Sequence, residues 1–343
     1  MHDAKRALNS MITPDVSVVL PVFNGARTVG RAIQSILEQT LQDIELIVVD
    51  DGSTDDTVAV VRASADPRLR LLECPHRGIA TATNAATQVA RSPFIARMDA
   101  DDFSYPQRLE KQLEFLQAET LDVVGCKVCI LDPDNNVVDT MKRYERWINE
   151  ETVTTEQVSA LRFVELPLVN PTILARRHYF ELGFRDGGFP EDYDLMLRAA
   201  NQGMRFGKVD EVLFDWTDSP TRVTRTDSRY SSAAFNHCRQ THLLEGPLKG
   251  VKRIDLWGVG QTGKLWLRWL LEQGINVRMA FDVNKRKVGT TIHDVRIVHP
   301  DQMRSADGTL LIVGVGAEGA RELIITHILS REYQLGADAW FVA

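Results

Sequence analysis

Three acidic clusters in the first 200 residues carry side chains of the types that chemistry needs. Asp99-Ala100-Asp101-Asp102 sets three carboxylates within four positions. That spacing suits a hard divalent cation such as Mg2+ or Mn2+, which keeps some water and takes further ligands from phosphate. The plainer reading is a solvated turn ahead of a helix at Pro106. Glu191-Asp192-Tyr193-Asp194 follows the glycine-rich GFRDGGFP and opens a predicted helix. One or two acids there answer the helix dipole, a third is left over, and a carboxylate held beside a cleft can serve as general base. The third cluster, Asp50-Asp51-Gly52-Ser53, precedes Asp55 and Asp56, which read as a helix start.

These clusters need a scaffold, and the chain supplies an α/β rhythm. The apolar runs VSVVLPV, IELIVVD, RLRLLEC and FIARMD alternate with helices predicted near 26–39, 55–65, 79–90 and 106–117. Continuous apolar strands separated by helices imply a mainly parallel sheet covered on both faces, with ligands at the carboxyl ends of the strands. Asn24 and Gly25, the Asp50 cluster, Cys74 to Gly78 and the Asp99 cluster all fall at such ends. Farther on, 122–138 reads as a strand pair with a turn at 132–136, 147–163 as a helical connection, and 215–230 as a polar surface loop. The helix EDYDLMLRAANQG is closed by Gly203.

The 343 residues suffice for about two domains, and 44% hydrophobic with 25% charged residues is the balance of a globular protein. The net charge of −7 excludes a general nucleic-acid binder. Its distribution is uneven: 12 basic residues face 10 acidic ones from Val251 onward, while residues 1–250 carry 28 against 37. An acidic first part can still hold a phosphate ligand if a divalent cation bridges the two. No window approaches the roughly 18 apolar residues of a membrane span, and MHDAKRALNSMITPD lacks the apolar core of a signal peptide, so the expected location is cytoplasmic. Cys126 and Cys129 sit in a strand-like run with no second Cys or His pair nearby, and read as buried thiols.

Five motifs in order, PVFNG, VVDDGSTDDT, GIATATN, MDADD and FPEDYDLMLRAANQG, resemble those of family 2 glycosyltransferases of the GT-A fold, over roughly Val16 to Gly203. The resemblance implies inverting transfer from a nucleoside diphosphate sugar, a UDP-sugar above others, with Mn2+ or Mg2+ as cofactor. It places Pro21, Phe23 and Asn24 near base and ribose, Asp50 or Asp51 on the base, Asp99 on the ribose side and at the metal, and Asp101 as metal ligand. Asn84 belongs to its third motif, Asp192 matches the catalytic base and Glu191 its orienting neighbour. Thr83 stands where many members have Arg and Ala86 where Gly is common, and the QxxRW signature of polymerising relatives is absent, which favours single-sugar transfer. Arg222 and Arg225, with Thr221, Thr224 and Thr226, lie in a loop that could close on the diphosphate. The implied acceptor is a glycan or lipid-linked precursor in surface polysaccharide assembly. Peripheral contact with the inner face of a membrane and homo-oligomerisation both stay open.

After a linker at 246–250, residues 251–343 begin a fresh α/β unit. Gly258-Val259-Gly260-Gln261-Thr262-Gly263 lies between strand and helix, Asp282 ends the next strand, and Gly314 to Gly319 repeats the spacing. This is the context of a nucleotide fingerprint, though about 93 residues is short for a complete dinucleotide domain. The expected organisation is a tail at 1–14, a GT-A domain at 15–245, and a smaller Rossmann-like α/β domain whose glycines serve either tight turns or a ligand. The rival functions are a non-catalytic nucleotide-sugar-binding protein and an NAD-dependent oxidoreductase using the C-terminal domain.

Overall fold

The computed structural model describes residues 13–220, 222–317 and 319–343; most of the expected N-terminal tail, together with Thr221 and Glu318, lies outside the described residues. The chain falls into two compact units. The first runs to Thr155 and resumes over Leu168–Cys238, and the second takes Glu156–Pro167 and Arg239–Ala343.

In the first unit, β1 (Val16–Val22) and β2 (Ile44–Asp50) are buried at all seven positions, as β-branched runs covered on both faces should be. Between them α1 (Val29–Leu37) buries Val29, Ala32, Ile33 and Ile36, the spacing of one helical face. α2 (Thr57–Ala63), β3 (Leu69–Glu73), α3 (Ile79–Val89), β4 (Phe94–Arg97), β5 (Phe103–Ser104) and α4 (Arg108–Ala118) follow, then β6 (Val123–Leu131), β7 (Leu174–Arg176), α5 (Glu191–Asn201) and β8 (Phe206–Thr217). The eight strands lie in the order β3-β2-β1-β4-β7-β6-β8-β5. β3, β2, β1 and β4 are parallel, and β6 pairs β8 in parallel, while β7 and β5 run antiparallel to their neighbours. The chain steps outward from β1 to β3 and then returns to the other side of β1 for β4, so the carboxyl ends of β1 and β4 flank the switch point where such sheets bind ligands.

Two expected features differ. The strand pair at 122–138 reduces to β6 and a single bridge between Leu131 and Val137, because β6 already pairs with β7 and β8. The loop expected from 215 begins only at 218: β8 extends through Thr217, followed by a short helix at Val223–Thr226 and a turn at Ser228–Tyr230. The connection 147–163 is a wide helical turn at Trp147–Glu151 and a helix at Thr155–Leu161. Cys126 is buried and Cys129 half-buried in β6, both as free thiols.

α6 (Ser232–Glu245) carries the chain into the second unit, where residues 246–250 form a turn. There β9 (Arg253–Trp257), α7 (Gln261–Glu272), β10 (Asn276–Phe281), β11 (Thr291–Ile292), β12 (Val295–Val298), β13 (Leu310–Val313), α8 (Ala320–Leu329) and β14 (Ala339–Phe341) build a sheet ordered β11-β12-β10-β9-β13-β14. Its pairs are parallel except β11 with β12. Ala160 and Leu161 pack into its core with Trp257, Phe281, Leu311, Val313 and Phe341, which explains why 156–167 belongs to this unit.

Candidate active site

The loops at the carboxyl ends of β1 and β2 are stitched together by short polar side chains. Asn24 adopts a left-handed φ of 51°, its amide N–H donates to Ser53 Oγ at 2.8 Å, and its Oδ1 accepts from Thr54 N at 2.8 Å. Gly25 N donates to Thr57 Oγ1 at 2.8 Å, and Ala26 N to Asp55 Oδ2 at 3.2 Å. Asn24 therefore fixes the loop, while Pro21 is buried in β1 and Phe23 projects, 46% exposed.

Asp50 and Asp51 sit side by side with different tasks. Asp51 is buried and accepts from Arg77 N and Gly78 N at 2.9 Å each, which clamps the loop after β3 onto the β2 turn. Asp50 is also buried; its Oδ2 accepts from Ser53 N at 3.0 Å, and its Oδ1 has no hydrogen-bond partner among the described residues. A buried carboxylate oxygen without a donor is costly, so this atom is one that a bound group would satisfy.

The acidic cluster after β4 converges: one carboxylate oxygen from each of Asp99, Asp101 and Asp102 lies within 4.8 Å of the others. Arg97, fully buried in β4, donates from Nη1 to Asp99 Oδ1 at 2.7 Å. Thr217, the last residue of β8, donates from its N–H to Asp102 Oδ1 at 2.7 Å and from its hydroxyl to Asp101 O at 2.6 Å. Asp102 Oδ2 is buried without a hydrogen-bond partner among the described residues. Burial, with Asp99 adding its charge, pushes the Asp101 carboxyl up to about 6, and Arg222 opposes the rise. Burial and the charges of Asp101 and Asp99 raise Asp102 well above the usual carboxylate range. All-oxygen ligands, converging carboxylates that repel one another and an orphaned buried oxygen fit a hard divalent cation.

The second acidic group opens α5 on Pro190. Glu191 is buried, and both of its carboxylate oxygens accept from the Tyr230 hydroxyl, at 2.8 and 2.6 Å. Asp192 is half-buried, with Oδ1 accepting from Tyr193 N at 2.7 Å. Asp194, the surplus acid, turns inward: Arg185 Nε donates to its Oδ2 at 3.0 Å and Arg198 Nε to the same oxygen at 2.8 Å. Asn84 pins the segment ahead of α5, its Nδ2 donating to Phe184 O at 2.8 Å and its Oδ1 accepting from Phe184 N at 2.9 Å.

Arg222 and Arg225 fold back on Asp218, at 3.7 and 2.5 Å. The Arg222 guanidinium covers the Trp216 ring at 4.0 Å from its centroid, one residue before the Thr217 that holds the acidic cluster.

Residues 17–184 match the model of the family described as Glycosyl transferase family 2. The putative glycosyltransferase EpsE of Bacillus subtilis (strain 168) is 37% identical over 244 residues, covering 67% of this chain and 84% of EpsE. The chain belongs to glycosyltransferase family 2. The chondroitin synthase of Pasteurella multocida (strain Pm70) is 29% identical over 206 residues, 59% of this chain but only 20% of the synthase, so the chain spans a fifth of that relative's length. The structure of S. aureus TarS 1–349 in complex with UDP-GlcNAc superposes with a TM-score of 0.53 at 20% identity, covering 67% of this chain and 66% of that one. A likeness of that order speaks for the fold, which is GT-A with a second, smaller sheet. Among the described residues no helix is long and apolar enough to cross a membrane.

In the second unit of this family 2 chain the fingerprint glycines have distinct surroundings. A Cβ on Gly263 would stand 1.9 Å from Gly258 O, and one on Gly258, at φ 97°, would stand 2.4 Å from Val315 Cγ2, so both serve the close approach of α7 to the strand ends. Gly260 faces open space. Asp282 accepts from Val259 N at 3.2 Å, Asn284 N at 2.8 Å and Lys287 Nζ at 2.9 Å, and these donors hold its carboxyl below the usual range against the effect of burial. Sequence reasoning missed Tyr230, Arg97 and Thr217. The partners of Tyr230 and Thr217 lie far away in the chain, and no local spacing marks them.

Proposed function

We propose that this chain transfers a single sugar, with inversion, from a nucleoside diphosphate sugar to a hydroxyl of a glycan or lipid-linked acceptor in surface polysaccharide assembly. The observation that carries the reading is the convergence of Asp99, Asp101 and Asp102 at the β1/β4 switch point, on a chain of this family. The chondroitin synthase and the UDP-GlcNAc complex among its relatives support a polysaccharide product and a UDP-sugar donor.

In this reading Asp101 and Asp99 hold Mn2+ or Mg2+, and Asp99, restrained by Arg97, also meets the ribose. A divalent ion held by these carboxylates would supply positive charge to offset the negative charge building on the departing diphosphate. Pro21, Phe23 and Asn24 line the base and ribose, and Asp50, with its orphaned oxygen, receives a donor group from the nucleotide. Arg222 and Arg225 exchange Asp218 for diphosphate oxygens. Asp192 takes the acceptor proton as the acceptor oxygen bonds to the anomeric carbon and the bond to the diphosphate breaks; attack from the opposite face inverts that centre. Glu191, with both oxygens on Tyr230, orients rather than abstracts. The second unit is a Rossmann-like accessory module in which Asp282 braces the glycine turn.

Binding and slow hydrolysis measured with Mn2+ across UDP-, GDP- and dTDP-sugars test the proposal. Asp101→Ala should weaken donor binding, and Asp192→Asn should abolish turnover while leaving binding within about 3-fold. Turnover that survives both changes would sink it.

A further inference from the structure

The basic residues of this acidic chain gather in one place. Residues 251–288, which run from β9 through α7 and β10 into the loop beyond, carry 8 basic residues against 3 acidic ones, while the rest of the chain carries 32 against 44. Two of those three acids are neutralised within the unit, Asp255 buried on Arg278 and Asp282 buried on Lys287. Lys252, Arg253, Lys264, Arg268, Lys285 and Arg286 remain. All six are exposed and have no ion-pair partner among the described residues, and Glu272 is the one exposed acid of the segment.

The six surround a single helix. α7 buries Gly263, Trp266, Leu267 and Leu270, so Lys264 and Arg268, one turn apart, lie on its outer side. Past the C-terminal end of α7 the chain re-enters the sheet at Asn276, which pairs with Arg253 and donates from its N–H to Lys252 O at 2.9 Å. At the other end Val259 N donates to Asp282 Oδ2 and Lys287 Nζ to Val259 O, each at 3.2 Å, which holds the loop of Lys285 and Arg286 beside the turn where α7 begins. One strand-helix-strand unit thus shows cations at both ends of its helix and along its outer side, over the roughly 18 Å that twelve helical residues span.

Apolar side chains stand among these cations. Leu265, beside Lys264, is 65% exposed, Val283, at the head of the Lys285 loop, is 67% exposed, and Trp269, beside Arg268, is half-buried. Cations alone would suit any polyanion, which would leave Leu265 and Val283 in water. Cations interleaved with exposed hydrocarbon suit a surface that offers anionic groups with hydrocarbon just beneath them. We infer that the outer side of α7 and the loop after β10 form a docking surface for an anionic lipid bilayer, where the six cations meet headgroup phosphates and Leu265 and Val283 enter the acyl boundary. The rest of the chain carries an excess of acid and is repelled by such a surface, which confines contact to this side. The inference concerns the second unit and does not depend on the transfer reaction.

The test is co-sedimentation of the full chain with vesicles of phosphatidylcholine, alone or with about one-third phosphatidylglycerol, at about 0.1 and 0.5 M NaCl. Wild type should bind the anionic vesicles at least about 10-fold more tightly than the neutral ones at the lower salt and lose most of that preference at the higher. Lys264→Glu with Arg268→Glu, and separately Lys285→Glu with Arg286→Glu, should each weaken binding by about 10-fold or more, and Leu265→Gln by about 3-fold. Melting temperatures within about 3 °C of wild type separate lost docking from lost folding. Wild type that binds neither vesicle, or binds both alike, overturns the proposal whatever the variants do, as do charge-reversed variants that bind like wild type. Heparin bound more tightly than the anionic vesicles, with a loss in the charge variants and none in Leu265→Gln, would overturn it too and assign the surface to a soluble polyanion.

Discussion

The hydroxyl of Tyr230 bonds both carboxylate oxygens of Glu191, at 2.8 and 2.6 Å, and so joins the end of the polar segment after β8 to the first residue of α5. Glu191 is 4% exposed, and the contact occupies both of its oxygens beside Asp192. In the proposed transfer a carboxylate engaged in this way orients, and the base role is assigned to its neighbour Asp192.

Tyr230→Phe removes that donor and keeps the ring. Leaving a buried carboxylate short of a hydrogen bond costs about 1–3 kcal/mol, so the expected outcome is a fall in kcat of roughly 10-fold or more with donor KM little changed. Steady-state kinetics read the split. A KM effect with unchanged kcat would place Tyr230 in donor binding instead.

The acidic cluster predicts opposite responses to pH with and without metal. Asp101 is raised from 3.8 to about 6, so between those values the folded state holds a proton that the unfolded state has lost. The metal-free protein therefore gains stability from this group as pH falls from 7 toward 4. Divalent cations compete with the same proton, so Mn2+ should raise Tm clearly at pH 7.5 and little at pH 5. Thermal melts with Mn2+ or EDTA check this, and Asp101→Asn should remove most of the difference.

Lys208 supplies a second pH signature, away from the cluster. It is 2% exposed, its ammonium donates to Ile148 O and Thr152 Oγ1, and burial pulls its pKa down to about 7. Between about 7 and 10.5 the unfolded chain binds a proton that the folded one does not, so this group's contribution to stability rises with pH through that window and is lost as pH falls toward 7. Its slope approaches ~1.4 kcal/mol per pH unit. Urea unfolding at pH 7 and 9 should show wild type gaining relative to Lys208→Met; parallel curves would mean that Lys208 stays charged.

What was legible in the sequence follows from how each feature is encoded. β1 and β2 declare themselves because every position is buried, and the acids of the Asp50, Asp99 and Glu191 clusters because each group lies within a few residues at a strand or helix end. β8 was hidden by the irregularity opposite Lys127, which puts Asp210 and Glu211 inside a strand and breaks its alternation. β11, with two residues, and β14, with three, are too short to show a period. The Tyr230–Glu191 contact joins residues 39 apart, and Thr217 reaches Asp102 across 115, so only the folded chain brings them together.

The glycine turn of the second unit separates packing from ligand approach. Gly263→Ala would force a methyl group to 1.9 Å from Gly258 O, a backbone atom that cannot swing aside, and should destabilise this unit by about 3 kcal/mol. Gly260 meets nothing within 4 Å and has a φ of −73°, so Gly260→Ala should change stability by no more than about 0.5 kcal/mol. Denaturant unfolding of the full chain measures both, and transferase assays of the Gly260 variant complete the comparison. A stable Gly260→Ala protein with wild-type turnover fits a module whose glycines serve strand-to-helix packing. A stable variant with impaired turnover would mean that a reactant or an effector approaches the backbone at Gly260, and would make the second unit part of the working enzyme.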